Sequence, residues 1–115
     1  MADDIEIFYV PIGVQTYIPI TEENIETSAS RYGIVDDTSD AFLNIKRILQ
    51  AAPDGDFNNE MLRVKMIVSE REIIYIDDSG GVLSSINGTS KLSREDVSHI
   101  KAILESFTSP LVRRQ

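Results

Sequence analysis

Near the start of the chain Ile5, Ile7 and Tyr9 alternate with Glu6, Phe8 and Val10, and the second set turns apolar as it proceeds. A period of two marks a strand. Apolar residues on both sides of its later half predict burial on both faces there. Pro11 and Gly13 disturb the strand's end, and Val14 to Ile20 can continue as a short extended segment closed by Pro19. Thr21-Glu22-Glu23-Asn24 then sets a capping hydroxyl ahead of two carboxylates, the charge that a helix start favours. Ile25, Ala29 and Tyr32 follow at helical spacing, with Gly33 just past the helix end.

The pattern sharpens further on. Thr38 or Ser39 can cap a helix over 39–51, with Ala41, Phe42, Ile45, Ile48 and Leu49 as its apolar stripe. Pro53, Asp54 and Gly55 stop it. Leu62, Val64, Met66 and Val68 alternate with Arg63, Lys65 and Ile67, Ile73 to Ile76 is rich in β-branched residues, and Val82 to Ile86 follows the turn Asp77-Asp78-Ser79-Gly80-Gly81. These three segments predict an antiparallel meander. Ser93 caps a last helix whose Val97, Ile100, Ile103, Leu104 and Phe107 share one face. The predicted order is strand, helix, helix, three strands, helix. It implies an α+β fold with an antiparallel sheet of about four strands and helices packed on one face. We expect one domain over 1–110 and a loose tail over 111–115.

Charge adds direction to this outline. The 115 residues carry a net charge of −8. Residues 1–60 hold 12 Asp and Glu against 3 Lys and Arg, whereas residues 61–115 hold 7 against 8. A one-sided excess creates a field that steers a basic partner. Nucleic acid is disfavoured as that partner, because neutralising phosphates takes clustered cations. No apolar run is long enough for a membrane span, and Met1-Ala2-Asp3-Asp4 lacks the basic start of a signal peptide. We therefore expect a cytoplasmic protein. The absence of cysteine removes disulfides, thiolate metal sites and cysteine nucleophiles.

Motifs for chemistry are weak. Asp36-Asp37-Thr38-Ser39-Asp40 spells DDxxD, a magnesium–diphosphate pattern that belongs to helical bundles much larger than this chain. A connector and helix cap explains it better. Asp54 to Glu60 matches the first ligand positions of a calcium loop, but Asn59 stands where glycine is required and Lys65 where a bidentate Glu belongs. His99 falls off the last helix's apolar stripe and has no partner for a metal site or a triad. Gly80-Gly81 precedes a strand, not a helix, and so is no phosphate loop. Paired carboxylates suit acid–base work by type alone, yet most sit where water keeps them ionised. No catalytic residue, metal or cofactor is expected, and a small-molecule substrate is disfavoured.

The acidic clusters remain. Glu22, Glu23 and Glu26 belong to one short predicted helix, and Asp36, Asp37 and Asp40 follow soon after. One such cluster is ordinarily a solvated face; two in the same half point to a binding surface. Tyr17 and Tyr32 flank the region and can act as aromatic anchors, the residue type that carries interface hot spots, or as core packing.

Arg63 to Val68, Ile74-Tyr75-Ile76-Asp77, Gly80-Gly81-Val82 and Leu92-Ser93 with its following amphipathic helix resemble, in pattern, the C-terminal half of several small bacterial immunity proteins. The resemblance covers about half the chain. It implies a protein that neutralises a cognate toxin domain by covering its active site or an adjacent exosite. Acidity suits that role where the toxin is a nuclease, because nuclease clefts are basic. Two other readings stand beside it. One is a general adaptor domain, dimeric through the edge of Leu62–Val68 or Val82–Ile86. The other is a small metal-dependent hydrolase built on the acidic clusters.

Overall fold

The structure, a computed structural model, describes residues 4–13, 18–68 and 72–111. It is an α+β fold on one antiparallel sheet. The strands are β1 (Asp4–Tyr9), β2 (Arg31–Asp36), β3 (Leu62–Ile67), β4 (Ile73–Asp77), β5 (Gly81–Ser84), β6 (Gly88–Lys91) and β7 (Ser109–Pro110). They lie in the order β6-β5-β4-β3-β1-β2-β7. The helices are α1 (Ile25–Ser28), α2 (Asp40–Ala51) and α3 (Arg94–Phe107). β3 to β6 form the expected meander, extended by one strand. β1 is inserted between β3 and β2, with Phe8 opposite both Lys65 and Tyr32, and Glu6 opposite both Ile67 and Ile34.

Alternation along the strands sorts side chains onto two faces. On one face Ile5, Ile7, Val64, Met66, Ile74 and Ile76 are buried beneath Phe42 and Ile45 of α2 and Ile100 and Leu104 of α3. Burying each such side chain contributes about 1.5–3 kcal/mol. Serines start both helices as the pattern predicts. Ser39 Oγ accepts from Phe42 N–H at 3.2 Å, and Ser93 Oγ accepts from Asp96 N–H at 3.1 Å. The opposite face holds a smaller cluster of Val10, Ile20, Ile25, Ala29 and Leu62. There α1 and its flanking chain cover one end of the sheet.

Four expectations need correction. The sheet has seven strands, not about four, because β2, β6 and β7 carry little of the signal that marks a strand. The helix expected from Thr21 through Tyr32 is a single turn, Ile25–Ser28, and Tyr32 and Gly33 lie in β2. Thr21 is not its cap: Asn24 holds that place, and its Oδ1 accepts from Thr21 N–H at 2.8 Å. Helices are also not confined to one face, since α2 and α3 pack on one and α1 on the other. The two strands expected to pair with a symmetry mate are both interior, β3 between β4 and β1 and β5 between β4 and β6. Among the described residues no helix is long and apolar enough to cross a membrane.

Candidate functional site

The face that carries α1 is left bare at its other end. Phe8, Tyr32, Ile34, Ile67 and Ile73 lie there side by side across four strands, partly or largely exposed. Ile34 is 55% exposed. The Phe8 and Tyr32 rings meet at 5.0 Å between centroids, tilted by 57°, a favourable aromatic geometry.

Carboxylates border this patch at both ends. At the β1–β2 corner, Asp4 lies directly opposite Asp36, and Glu6 follows on the same face. Tyr32 donates its hydroxyl proton to Glu6 Oε1 at 3.0 Å. Burial and this bond, in that order, raise the Tyr32 phenol above its ordinary value. Asp36 accepts from the Thr38 N–H at 2.8 Å and the Thr38 hydroxyl at 2.7 Å. Both bonds, the backbone one first, hold its carboxyl below the ordinary value. At the other end, Lys65 reaches Glu26 Oε2 at 3.0 Å and lies 5.8 Å from the centre of the Tyr75 ring. Burial raises the Tyr75 phenol; Lys65 opposes that, while Glu22 and Glu26 add to it. Glu22 and Glu26 therefore both stand near Tyr75. By strand spacing the two acidic ends are roughly 15 Å apart.

The structure thus sets Tyr32 and Asp36 on one face of β2, four residues apart, and separately sets Glu22 and Glu26 toward Tyr75. Glu23 is exposed in the turn before α1. Asp37 lies in the turn that leaves the sheet, and Asp40 in the first turn of α2. Tyr17 lies outside the described residues, as do 112–115 of the expected tail. Asp4, Glu6, Phe8 and Ile34 complete the patch and were not singled out from the sequence. Alternation along β1 shows that Asp4, Glu6 and Phe8 share a face; only the register with β2 places them beside Asp36 and Tyr32.

Among the described residues no three His, Asp or Glu side chains stand close enough to hold a metal ion. Asp54 and Asp56 lie in the loop before β3, and His99 is exposed on α3. A cleft of about 350 Å³ lies between α2 and β4–β6, lined by Phe42, Lys46, Leu49, Ile74, Val82 and Ser84 among others. The buried hydroxyl of Ser84 is already taken by the N–H groups of Ile86 and Asn87 and by Glu72. Comparison of the chain with protein-family models, curated proteins and solved structures gave no match.

Proposed function

We propose that this chain is a non-catalytic binding protein that captures a cationic protein surface on the bare end of its sheet. The observation that carries this reading is an apolar and aromatic patch bordered by Asp4, Glu6 and Asp36 on one side and by Glu22 and Glu26 on the other. The lysine on this face, Lys65, is already engaged by Glu26 and Tyr75. Carboxylates of this kind raise the association rate by about one to three orders of magnitude. Affinity itself comes from desolvated anchors, a part that suits Phe8, Tyr32 and Ile34. A basic toxin domain, above all a nuclease with its phosphate-binding cleft, is the partner class that such a face fits best. The resemblance to immunity proteins supports the same class.

The test begins with purification of the tagged chain from its native cells at low ionic strength and identification of the retained protein. Association is then followed by stopped flow for the wild type and for the triple variant Asp4→Asn/Glu6→Gln/Asp36→Asn. The variant should associate at least about tenfold more slowly at low salt, and the difference should vanish as salt screens the charges. Identical rates at every salt concentration, or an acidic partner, would overturn the reading.

A further inference from the structure

The sheet ends on the β2 side in an unfinished edge. β7 pairs only with Arg31 and Tyr32, so Gly33 to Asp36 has no strand beyond it among the described residues. The direction of the free backbone groups follows from the ladder. Leu111 N–H donates to Ser30 C=O at 2.8 Å, so Ser30 faces β7. In an antiparallel strand the groups alternate sides, and Tyr32, Ile34 and Asp36 must face the same way. The β1 side agrees: Val10 N–H donates to Arg63 C=O at 2.7 Å, which turns the even residues of β1 toward β3 and the odd ones toward β2. The N–H and C=O of Ile34 and the N–H of Asp36 therefore point out of the sheet. The Asp36 C=O is already taken by Ser39 N–H at 3.0 Å.

Edges of this kind are usually blunted by lysine, proline or a covering segment. Here the open stretch is Gly-Ile-Val-Asp. Ile34 is exposed on the bare face, and on the helix side Phe107, at 42% exposure, sets its carbonyl against Gly33. The charge on the bare face and past the strand is negative, from Asp36, Asp4 and Glu6 on the face and Asp37 and Asp40 just beyond the strand. Arg31, the cation of β2, is engaged on the helix side, where it donates to the Thr108 hydroxyl and to the Glu105 and Thr108 carbonyls. A second copy of this chain would bring the same carboxylates to the same edge and is disfavoured on charge.

We propose that a cationic segment of the partner binds in extended form as an added strand on β2, along Gly33–Asp36. Its residue opposite Ile34 is apolar, and its residue opposite Asp36, two positions away on the same face, is Lys or Arg. Main-chain bonds supply affinity in this mode and alternate side chains supply selectivity. This proposal rests on the reading of the face as a cation-binding surface and specifies how the partner engages it.

The experiment uses the full isotope-labelled chain and a short capped peptide in which lysine and valine alternate with threonine, at low salt. Hydrogen exchange and amide shifts are followed by NMR. Exchange at the Ile34 and Asp36 amides should slow by at least about tenfold at saturation, and the same peptide with glutamate for lysine should have no effect. Ile34→Pro removes an outward N–H without breaking the β1 ladder, a substitution that edge strands tolerate. It should abolish the protection at Asp36, and Ile34→Lys should do the same should the proline variant fail to fold. Shifts at Tyr32, Lys65 and Tyr75 with unprotected Ile34 and Asp36 would overturn strand addition and leave the face reading standing. Protection at the edge without shifts on the face would uphold strand addition and count against the face. No change anywhere would overturn strand addition, and the stopped-flow comparison above would then judge the face by itself.

Discussion

Asp77 offers the sharpest test of the physical reasoning behind this fold. It ends β4 at 1% exposure. Its Oδ2 accepts from Asn58 N–H at 2.8 Å, and its Oδ1 accepts from Ser79 N–H at 2.8 Å, the Ser79 hydroxyl at 3.0 Å and Gly81 N–H at 2.8 Å. A Cβ on Gly81 would collide with this carboxylate. One side chain thus closes the β4–β5 turn and ties the loop before β3 to it. In Asp77→Ala the buried Gly81 N–H loses its acceptor, at about 2 kcal/mol, while Asn58 and Ser79 can recruit water and lose about 1 kcal/mol each. The expected cost is about 4 kcal/mol, a large part of the 5–15 kcal/mol typical of a domain. Asp77→Asn keeps the Oδ1 bonds but turns an amide against Asn58 N–H, for about 1–2 kcal/mol. Urea denaturation measures both, and the midpoint should fall with an unchanged slope. An alanine variant that loses less than about 1 kcal/mol, or an asparagine variant as costly as alanine, would refute the account.

Three further outcomes follow from the geometry. Glu26→Gln removes the partner of Lys65, which is only 8% exposed; because Glu26 itself is half exposed, the loss should be about 1 kcal/mol by thermal or urea denaturation, and Lys65→Met in the same background should recover it. Gly33→Ala sets a methyl group against the Phe107 carbonyl and should cost roughly 2 kcal/mol, with no loss if α3 ends elsewhere. The phenols of Tyr9, Tyr32 and Tyr75 are all raised above 10.0, burial being the first cause of each. Folding therefore favours their neutral forms, and this stability is full below the unfolded value and disappears as pH rises through the folded ones; ultraviolet titration should show late ionisation, and Glu6→Gln should bring Tyr32 down.

The elements with strong periodicity were legible in the sequence. Ser39 and Ser93 marked their helices correctly; β3 stood out by its alternation although both its faces are buried, β4 by its β-branched residues and β5 by the turn before it. β2 was misread because Ile25, Ala29 and Tyr32 satisfy helical spacing while serving two elements, α1 and β2, that meet the same face. Gly33, taken for a helix terminator, is required instead by the approach of α3. β6, written Gly-Thr-Ser-Lys, is an edge strand with polar positions on both sides, so no alternation betrays it. The acidic clusters were legible as composition. Their division was not, because whether Asp36 faces Asp4 or solvent depends on register, and register is decided by partners distant in the chain.

The place of β1 bears on how the molecule comes together. Of the described strands β1 comes first in the chain, yet it lies inside the finished sheet, and its two neighbours follow tens of residues later. Until β3 is made nothing flanks Ile5, Ile7 and Tyr9 on the β3 side, so this edge of β1 stays bound to water during synthesis. Pairings so remote in sequence slow folding, and the meander of β3 to β6, joined by tight turns, is the natural nucleus onto which the waiting strand docks. A nascent chain released after β2 but before β3 would leave the β3-facing side of a hydrophobic strand open, a species exposed to aggregation.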